Sequence, residues 1–205
     1  MKGAEAVISF SKLLGKKIVI KNRAPKTYRA KELDTNLRKT RTRSEARLLH
    51  KAKLAGVACP TVLCVDEFSL YISYINGKRP KMNEALAREA GGILANLHTA
   101  DIIHGDFTVA NLLLASGKWQ VANSYRLKAK SQKLTANDGS LFVIDFGLGF
   151  FSNDIEDKAV DVLTMLKLLQ HDKLKNAFLD GYGKYEKFNA VLSRIKIVES
   201  RVRYF

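Results

Sequence analysis

The chain has 205 residues, with 35 Lys+Arg against 20 Asp+Glu and a formal charge of +15. Its 46% apolar and 27% charged residues exclude a disordered chain, which combines low hydrophobicity with high charge. No apolar run approaches the ~18 residues of a membrane span, the opening MKGAEAVISF lacks the apolar core of a signal peptide, and Cys59 and Cys64 in CPTVLC match no zinc or disulfide spacing, so the expectation is a soluble cytoplasmic protein with reduced cysteines and no membrane partner.

The charge is concentrated. Residues 16–53 hold fourteen Lys/Arg and three acids, a net +11, and the rest of the chain supplies only +4. A basic block of this kind suits nucleic acid, an acidic partner surface or the phosphates of a nucleotide. Along the chain, EAVISF (5–10) and KIVIK (17–21) read as short strands parted by a turn at Gly15. Pro25 excludes a regular central strand in the basic stretch that follows. RTRSEARLLHKAKLAG (41–56) has the apolar stripe of a helix, and TVLCVDE and SLYISYI (61–75) read as a hairpin. NGKRP (76–80) is the strongest turn signal and divides the chain into parts 1–76 and 77–205.

The second part reads as mainly helical. Asn83 caps a helix over 83–100, and DIEDKAVDVLTMLKLLQ (154–170) opens with acids before a helical apolar pattern. Two apolar runs, 111–115 and 141–145, flank a polar segment too long for a hairpin loop, an insertion at about 115–140 holding Trp119 and Tyr125. Further helices are expected in 173–200.

Three features carry chemistry. HGDFTVANLLL (104–114) places Asp106 and Asn111 at the spacing of a phosphotransfer loop, where a carboxylate accepts the proton of an attacking hydroxyl or water and an amide holds a metal ion. VIDFGLG (143–149) delivers Asp145 from an apolar strand into a Phe-Gly turn, where it would bind the magnesium bridging nucleotide phosphates. Lys21 ends a strand, and Glu45 lies on a helix twenty-four residues later, as in a lysine held by a helix glutamate to grip the α- and β-phosphates. Each part alone is an ordinary surface feature; the four in this order point to a kinase-type site.

On these motifs and on GAEA (3–6), IVIKNRAPKTYR (18–29), LDTNLRKTRTRSEARLL (33–49), LHTADIIHGDFTVANLLL (97–114), IDFGLG (144–149) and EDKAVDVLTML (156–166), the chain resembles the small kinase-like ATPase of the KEOPS (EKC) complex, archaeal type. That family takes part in threonylcarbamoylation of tRNA adenosine. The resemblance implies an α+β fold: a miniature bilobal protein-kinase-like structure with a β-rich N-lobe carrying one main helix and a mainly helical C-lobe. It implies ATP and Mg2+ as cofactors. Asp106 is then the catalytic base, Lys21 the phosphate-binding lysine and Glu45 its partner, with Asn111 and Asp145 as metal ligands. Gly3 matches the family's loop glycine, and adenine would lie against the backbone near Ser73, Tyr74 and Ile75. Asp161 matches the helix aspartate that supports the catalytic loop. The implied partners are the complex's catalytic subunit, its other subunits and, through the basic N-lobe, tRNA; the basic residues beyond those a nucleotide needs, including Arg38, Lys39 and Arg41, are expected to meet tRNA or an acidic partner surface.

The chain departs from the pattern in three places. Two residues precede GAEA in the sequence, so a minimal nucleotide-covering loop is expected, and no full G-x-G-x-x-G is present in it. Asp106 and Asp145 are 39 residues apart because of the insertion. The C-terminal RIKIVESRVRYF is less basic than the family's tail and has no glycine. Ile155, near the start of the next helix, lies only ten residues after Asp145, with no A-P-E anchor for a substrate peptide between them. That favours ATP hydrolysis, autophosphorylation or phosphorylation of a docked partner, with turnover raised by the assembled complex and tRNA. The alternatives are an independent RIO-like serine kinase, a small-molecule kinase resembling the aminoglycoside phosphotransferases, and a non-catalytic scaffold for tRNA or protein.

Overall fold

The computed structural model describes residues 6–115 and 139–202; Gly3, Trp119 and Tyr125 lie outside the described residues. β1 (Val7–Leu13) and β2 (Lys16–Asn22) form a hairpin. Its two turn residues, Leu14 and Gly15, have φ of 48° and 75°, the primed turn that matches strand twist. β3 (Val62–Val65) and β4 (Ser69–Ser73) complete an antiparallel sheet in the order β1-β2-β4-β3, with Ile18 opposite Ser73 and Lys21 opposite Leu70.

Between the hairpins runs α1, Lys31–Leu54, ten residues longer at its start than the apolar stripe indicates. Those ten residues are held by charge. Glu32 and Asp34 sit in the first turn, where the helix dipole favours anions. Buried Asp34 accepts from Arg38 Nε at 2.7 Å and from the Lys26 amide at 3.3 Å, with Arg29 at 3.6 Å. Farther along, Ala46, Leu48, Leu49 and Ala52 join Leu70 and Ile72 of β4 in the core. Both cysteines are free, Cys59 buried and Cys64 exposed.

The C-terminal part is built on α2 (Glu84–Thr99), α3 (Ile155–Leu168), α4 (Asp172–Tyr182) and α5 (Phe188–Val202). Asn83 caps α2 through a bond from the Leu86 amide at 2.9 Å, and Asp154 caps α3 through one from Glu156 at 2.8 Å. Three short strands, β5 (Gly77–Lys78), β7 (Leu112–Ala115) and β8 (Ser140–Val143), pair in the order β5-β7-β8. β6 (Ile102–Ile103) pairs with β9 (Phe150–Phe151). One hydrophobic cluster runs from Leu49 and Leu70 through Phe107 and Phe146 to Leu94, Val162 and Phe178, so sheet and helices share a core.

α2 and α4 touch backbone to backbone. A Cβ on Gly91 would stand 2.0 Å from the Phe178 carbonyl oxygen, and one on Gly181 would stand 1.9 Å from that of Arg88. Gly92, the next residue, would meet nothing nearer than 3.9 Å. Gly91→Ala is therefore expected to destabilise the fold by about 1–3 kcal/mol through forced separation of the helices. Gly92→Ala is expected to be stabilising by about 0.5–1 kcal/mol, because alanine loses less backbone entropy in a helix. Urea unfolding of the two variants checks the contrast.

Candidate active site

Lys21 is the penultimate residue of β2, and the sheet aims it at α1. Its ammonium, buried with the rest of the side chain, donates to Glu45 Oε1 and, at 2.8 Å, to Asp145 Oδ1. The second oxygen of Glu45 accepts from Arg23 Nη2 at 2.7 Å. Arg23 was not among the residues singled out from the motifs. The signal for it was strand alternation: it lies two residues past Lys21 and shares its face. Asp145 leaves β8 with φ of +63°, a left-handed conformation that costs a non-glycine residue of order 1–3 kcal/mol. The Gly147 amide, donating to Asp145 Oδ1 at 3.2 Å, closes that turn.

Asp106 and Asn111 lie on the turn between β6 and β7. Asn111 Nδ2 donates to both the carbonyl and Oδ2 of Asp106, at 2.9 and 2.8 Å. The Ile144 amide donates to the Asn111 carbonyl at 2.9 Å, and Leu112 stands opposite Val143, so the β7–β8 ladder delivers Asn111 and Asp145 to neighbouring positions. Buried His104 fastens the two segments together: its Nε2 donates to the Ile144 carbonyl at 3.2 Å, and its Nδ1 accepts the Asp106 amide at 3.3 Å. This is the neutral tautomer, and burial holds the His104 pKa below its ordinary value.

Asp161, 1% exposed on α3, carries the start of this turn. Its Oδ2 accepts the His104 amide at 2.6 Å and its Oδ1 the Gly105 amide at 2.9 Å. Gly105 has φ of +77°, and a Cβ there would lie 2.4 Å from the Leu148 carbonyl oxygen. Behind Asp161, buried His98 contributes Nε2 at 3.5 Å while its Nδ1 accepts from the Tyr182 hydroxyl at 2.7 Å.

Burial alone would lower the pKa of Lys21, but the Glu45 and Asp145 carboxylates outweigh it and hold the ammonium above its ordinary value. Burial would raise Asp145, but Lys21 outweighs it and holds the carboxyl below the usual range. The stability from Asp145 is therefore present above its unfolded pKa and lost as pH falls through the depressed value. That from Lys21 is present below its unfolded pKa and lost as pH rises through the raised one. The Lys21–Asp145 pair should contribute a constant increment between about pH 5 and 9. Urea unfolding of wild type and Asp145→Asn across this range checks it: the difference stays flat inside the window and changes outside it.

At the junction of sheet and helices, the Ser73 amide donates to the Thr61 carbonyl at 2.9 Å and the Tyr74 amide to that of Lys17 at 3.4 Å, with Ile75 beside them in the core. Ser73 lies three residues along β4 from the position opposite Lys21, roughly 10 Å away. A cavity of about 750 Å³ opens in front of Asp106, between Thr108–Ala110 and the end of α3 at Leu168 and Leu169. Part of the basic block is engaged inside the N-terminal part: Arg38 pairs with Asp34 and stacks over Phe68 at 3.9 Å, and Lys39 pairs with Glu67. Arg43, Arg47 and Lys51 are exposed at four-residue spacing, one ridge along α1.

A four-stranded sheet with one long helix above a helical part, joined at a cleft where strand lysine, helix glutamate, H-x-D-x-x-x-x-N and D-F-G meet, is a protein-kinase-like fold. The chain superposes on the Rio2 kinase of Chaetomium thermophilum, solved as an ADP/Mg2+-phosphoaspartate complex, with a TM-score of 0.62 at 15% identity over 100% of this chain and 69% of that one. No family model matches the chain. It is 36% identical over 194 residues to the protein named "Probable serine/threonine-protein kinase BUD32 homolog" of Archaeoglobus fulgidus, covering 91% of this chain and 88% of that protein. The chain belongs to the family of this BUD32 homolog. It is also 35% identical over 211 residues to the "Probable bifunctional tRNA threonylcarbamoyladenosine biosynthesis protein" of Methanosarcina acetivorans, covering 98% of this chain and 35% of that protein. The chain thus spans about a third of the length of that relative. Among the described residues no helix is long and apolar enough to cross a membrane.

Proposed function

We propose that the cleft between parts 1–76 and 77–205 binds ATP with Mg2+ and passes the terminal phosphoryl group to a hydroxyl or to water, in support of tRNA threonylcarbamoyladenosine formation. The observation that carries this reading is the joint placement of Lys21, Glu45 and Asp145 in one ion-pair cluster, with Asn111, just before β7, tied by its carbonyl to the amide of Ile144, the residue preceding Asp145. The donor set fits the cofactor. Asn111 directs its amide nitrogen to Asp106, which leaves its carbonyl oxygen as a hard ligand beside the half-exposed carboxylate of Asp145. Two hard protein oxygens suit Mg2+, which is held by one or two protein oxygens and completes its shell with waters and nucleotide phosphates.

When bound, Mg2+ offsets the charge that develops on the transferred phosphoryl group. Lys21 would turn from Asp145 to the phosphates, still oriented by Glu45. Asp106, oriented by Asn111, would take the proton of the attacking oxygen, and the phosphoryl group would leave ADP for that oxygen. His104 and Asp161 hold this turn without touching the reactants. The neighbour solved with ADP and Mg2+ and the kinase name of the Archaeoglobus relative support the same reading. The name of the Methanosarcina relative supports the role in tRNA modification.

The span from Asp145 to Ile155 is clamped short: β9 pairs with β6, and the Ser152 amide donates to the Asp101 carbonyl at 3.0 Å. It leaves no platform for an extended peptide, which favours ATPase turnover within the complex, in the cytoplasm, over phosphorylation of free peptides. The exposed ridge of Arg43, Arg47 and Lys51 would meet tRNA phosphates or an acidic partner surface. The test is ATP turnover with and without tRNA and the complex's catalytic subunit. Turnover raised by both and lost in Asp145→Asn is expected; turnover on free peptides at about 1–100 per second, indifferent to both, would replace this reading with an independent kinase.

A further inference from the structure

We propose that Arg23 is a positioning residue of this cleft: it fixes the second oxygen of Glu45 and keeps the Lys21–Glu45 pair assembled without a phosphorylated activation segment. The proposal rests on the phosphoryl-transfer reading above. Arg23 directly follows β2, and its side chain is almost as buried as that of Glu45, at 5% and 2% exposure. Its Nη2 donates to Glu45 Oε2 at 2.7 Å while Lys21 holds Oε1, so the carboxylate is gripped by two cations through separate oxygens.

The backbone of Arg23 is itself fixed twice. Its amide donates to the Phe68 carbonyl at 2.9 Å, and its carbonyl accepts from Arg38 Nη1 at 3.2 Å. The guanidinium also borders the Asp-Phe-Gly turn: a Cβ on Gly147 would lie 3.6 Å from Nη2 and 3.8 Å from Glu45 Oε2. Arg23 thus stands where β2, α1 and that turn meet.

Lys21, Arg23 and Glu45 thus form one buried cluster, with the half-exposed carboxylate of Asp145 at its edge. An outward swing of α1 would take Glu45 from both buried cations and leave Lys21 with only the half-exposed Asp145, and removing the carboxylate partner of buried cations is strongly unfavourable. In protein kinases the lysine–glutamate pair is placed by activation-loop phosphorylation and helix position. Here the segment after Asp145 is ten residues long and folded back, with the Gly149 amide donating to the Phe146 carbonyl at 3.0 Å. A second cation, just past the end of β2, takes over that control. It also keeps Glu45 neutralised when Lys21 turns to a phosphate.

The test uses the full chain as wild type, Arg23→Gln, Arg23→Lys, Glu45→Gln and the Arg23→Gln/Glu45→Gln double variant. Affinity for Mg2+ with a fluorescent ADP analogue is measured beside amide hydrogen exchange in α1. Arg23→Gln is expected to weaken affinity about tenfold and to speed exchange around Glu45, with Arg23→Lys between it and wild type. In the Glu45→Gln background the same change should alter affinity less than about twofold, because the partner is already gone. Phosphatase treatment should leave wild-type affinity unchanged. Wild-type affinity in Arg23→Gln, effects that multiply in the double variant, or affinity lost on dephosphorylation would overturn the proposal. Should Arg23→Gln not fold, Arg23→Lys decides by the same comparison with its own double variant. If no form binds the analogue, wild type included, the nucleotide reading fails, and the exchange data still decide the role of Arg23.

Discussion

Asp161→Ala is expected to lower the thermal unfolding midpoint by roughly 5–15 °C and to remove turnover. The carboxylate accepts the His104 amide at 2.6 Å, the Gly105 amide at 2.9 Å and the His98 ring at 3.5 Å, all from a position 1% exposed. Deleting it orphans one deeply buried amide and a buried imidazole, while the Gly105 amide lies where water can reach it. Each buried orphan costs about 1–3 kcal/mol, and in a chain of this size each kcal/mol moves the midpoint about 2–4 °C. Asp161→Asn keeps one acceptor oxygen and should lose less. Calorimetry of the two variants separates these outcomes, and an alanine variant within about 2 °C of wild type would mean that water replaces the carboxylate.

Lys21→Met should do the opposite: little to the fold, much to the chemistry. Glu45 stays paired with Arg23, and the Asp145 side chain is 50% exposed and hydrated without its partner. The fold therefore tolerates the loss. On the proposed phosphoryl-transfer reading the substitution removes a preorganised cation that would grip the phosphates, and turnover should fall about 10²–10³-fold. Steady-state kinetics beside a melting curve checks this pair of results. A variant that unfolds as readily as Asp161→Ala would show that Lys21 serves the fold and not the phosphates.

Much of the fold was legible because local chemistry dictates it. Asn83 announces α2 by capping, the opening acids announce α3, and the short β-rich runs announce the hairpin strands. The start of α1 was not legible, since Asp34 is the one buried residue of its first ten and a polar buried residue leaves no hydrophobic period. The contact of Gly91 with Phe178 and of Gly181 with Arg88 depends on how two distant helices cross, which no local pattern records. In the site, Lys21, Glu45, Asp106, Asn111 and Asp145 stood out because phosphoryl transfer demands those residue types at set spacings. Arg23 and the His98–Tyr182 pair did not. Arginine and histidine in those places carry no motif, and their roles arise only when strand, helix and turn come together. The net +15 likewise sorts itself only in three dimensions: Lys21, Arg23, Arg38 and Lys39 are engaged in pairs, and Arg43, Arg47 and Lys51 are exposed.

The central claim is that Asp145 and Asn111 hold a metal beside a nucleotide gripped by Lys21. The most direct measurement is titration of ADP into wild type and Asp145→Asn, each with Mg2+ and with EDTA. Wild type should bind with an affinity that falls when Mg2+ is chelated, and Asp145→Asn should bind more weakly and indifferently to Mg2+. Equal wild-type affinity with and without Mg2+, or full Mg2+ dependence in Asp145→Asn, would contradict it.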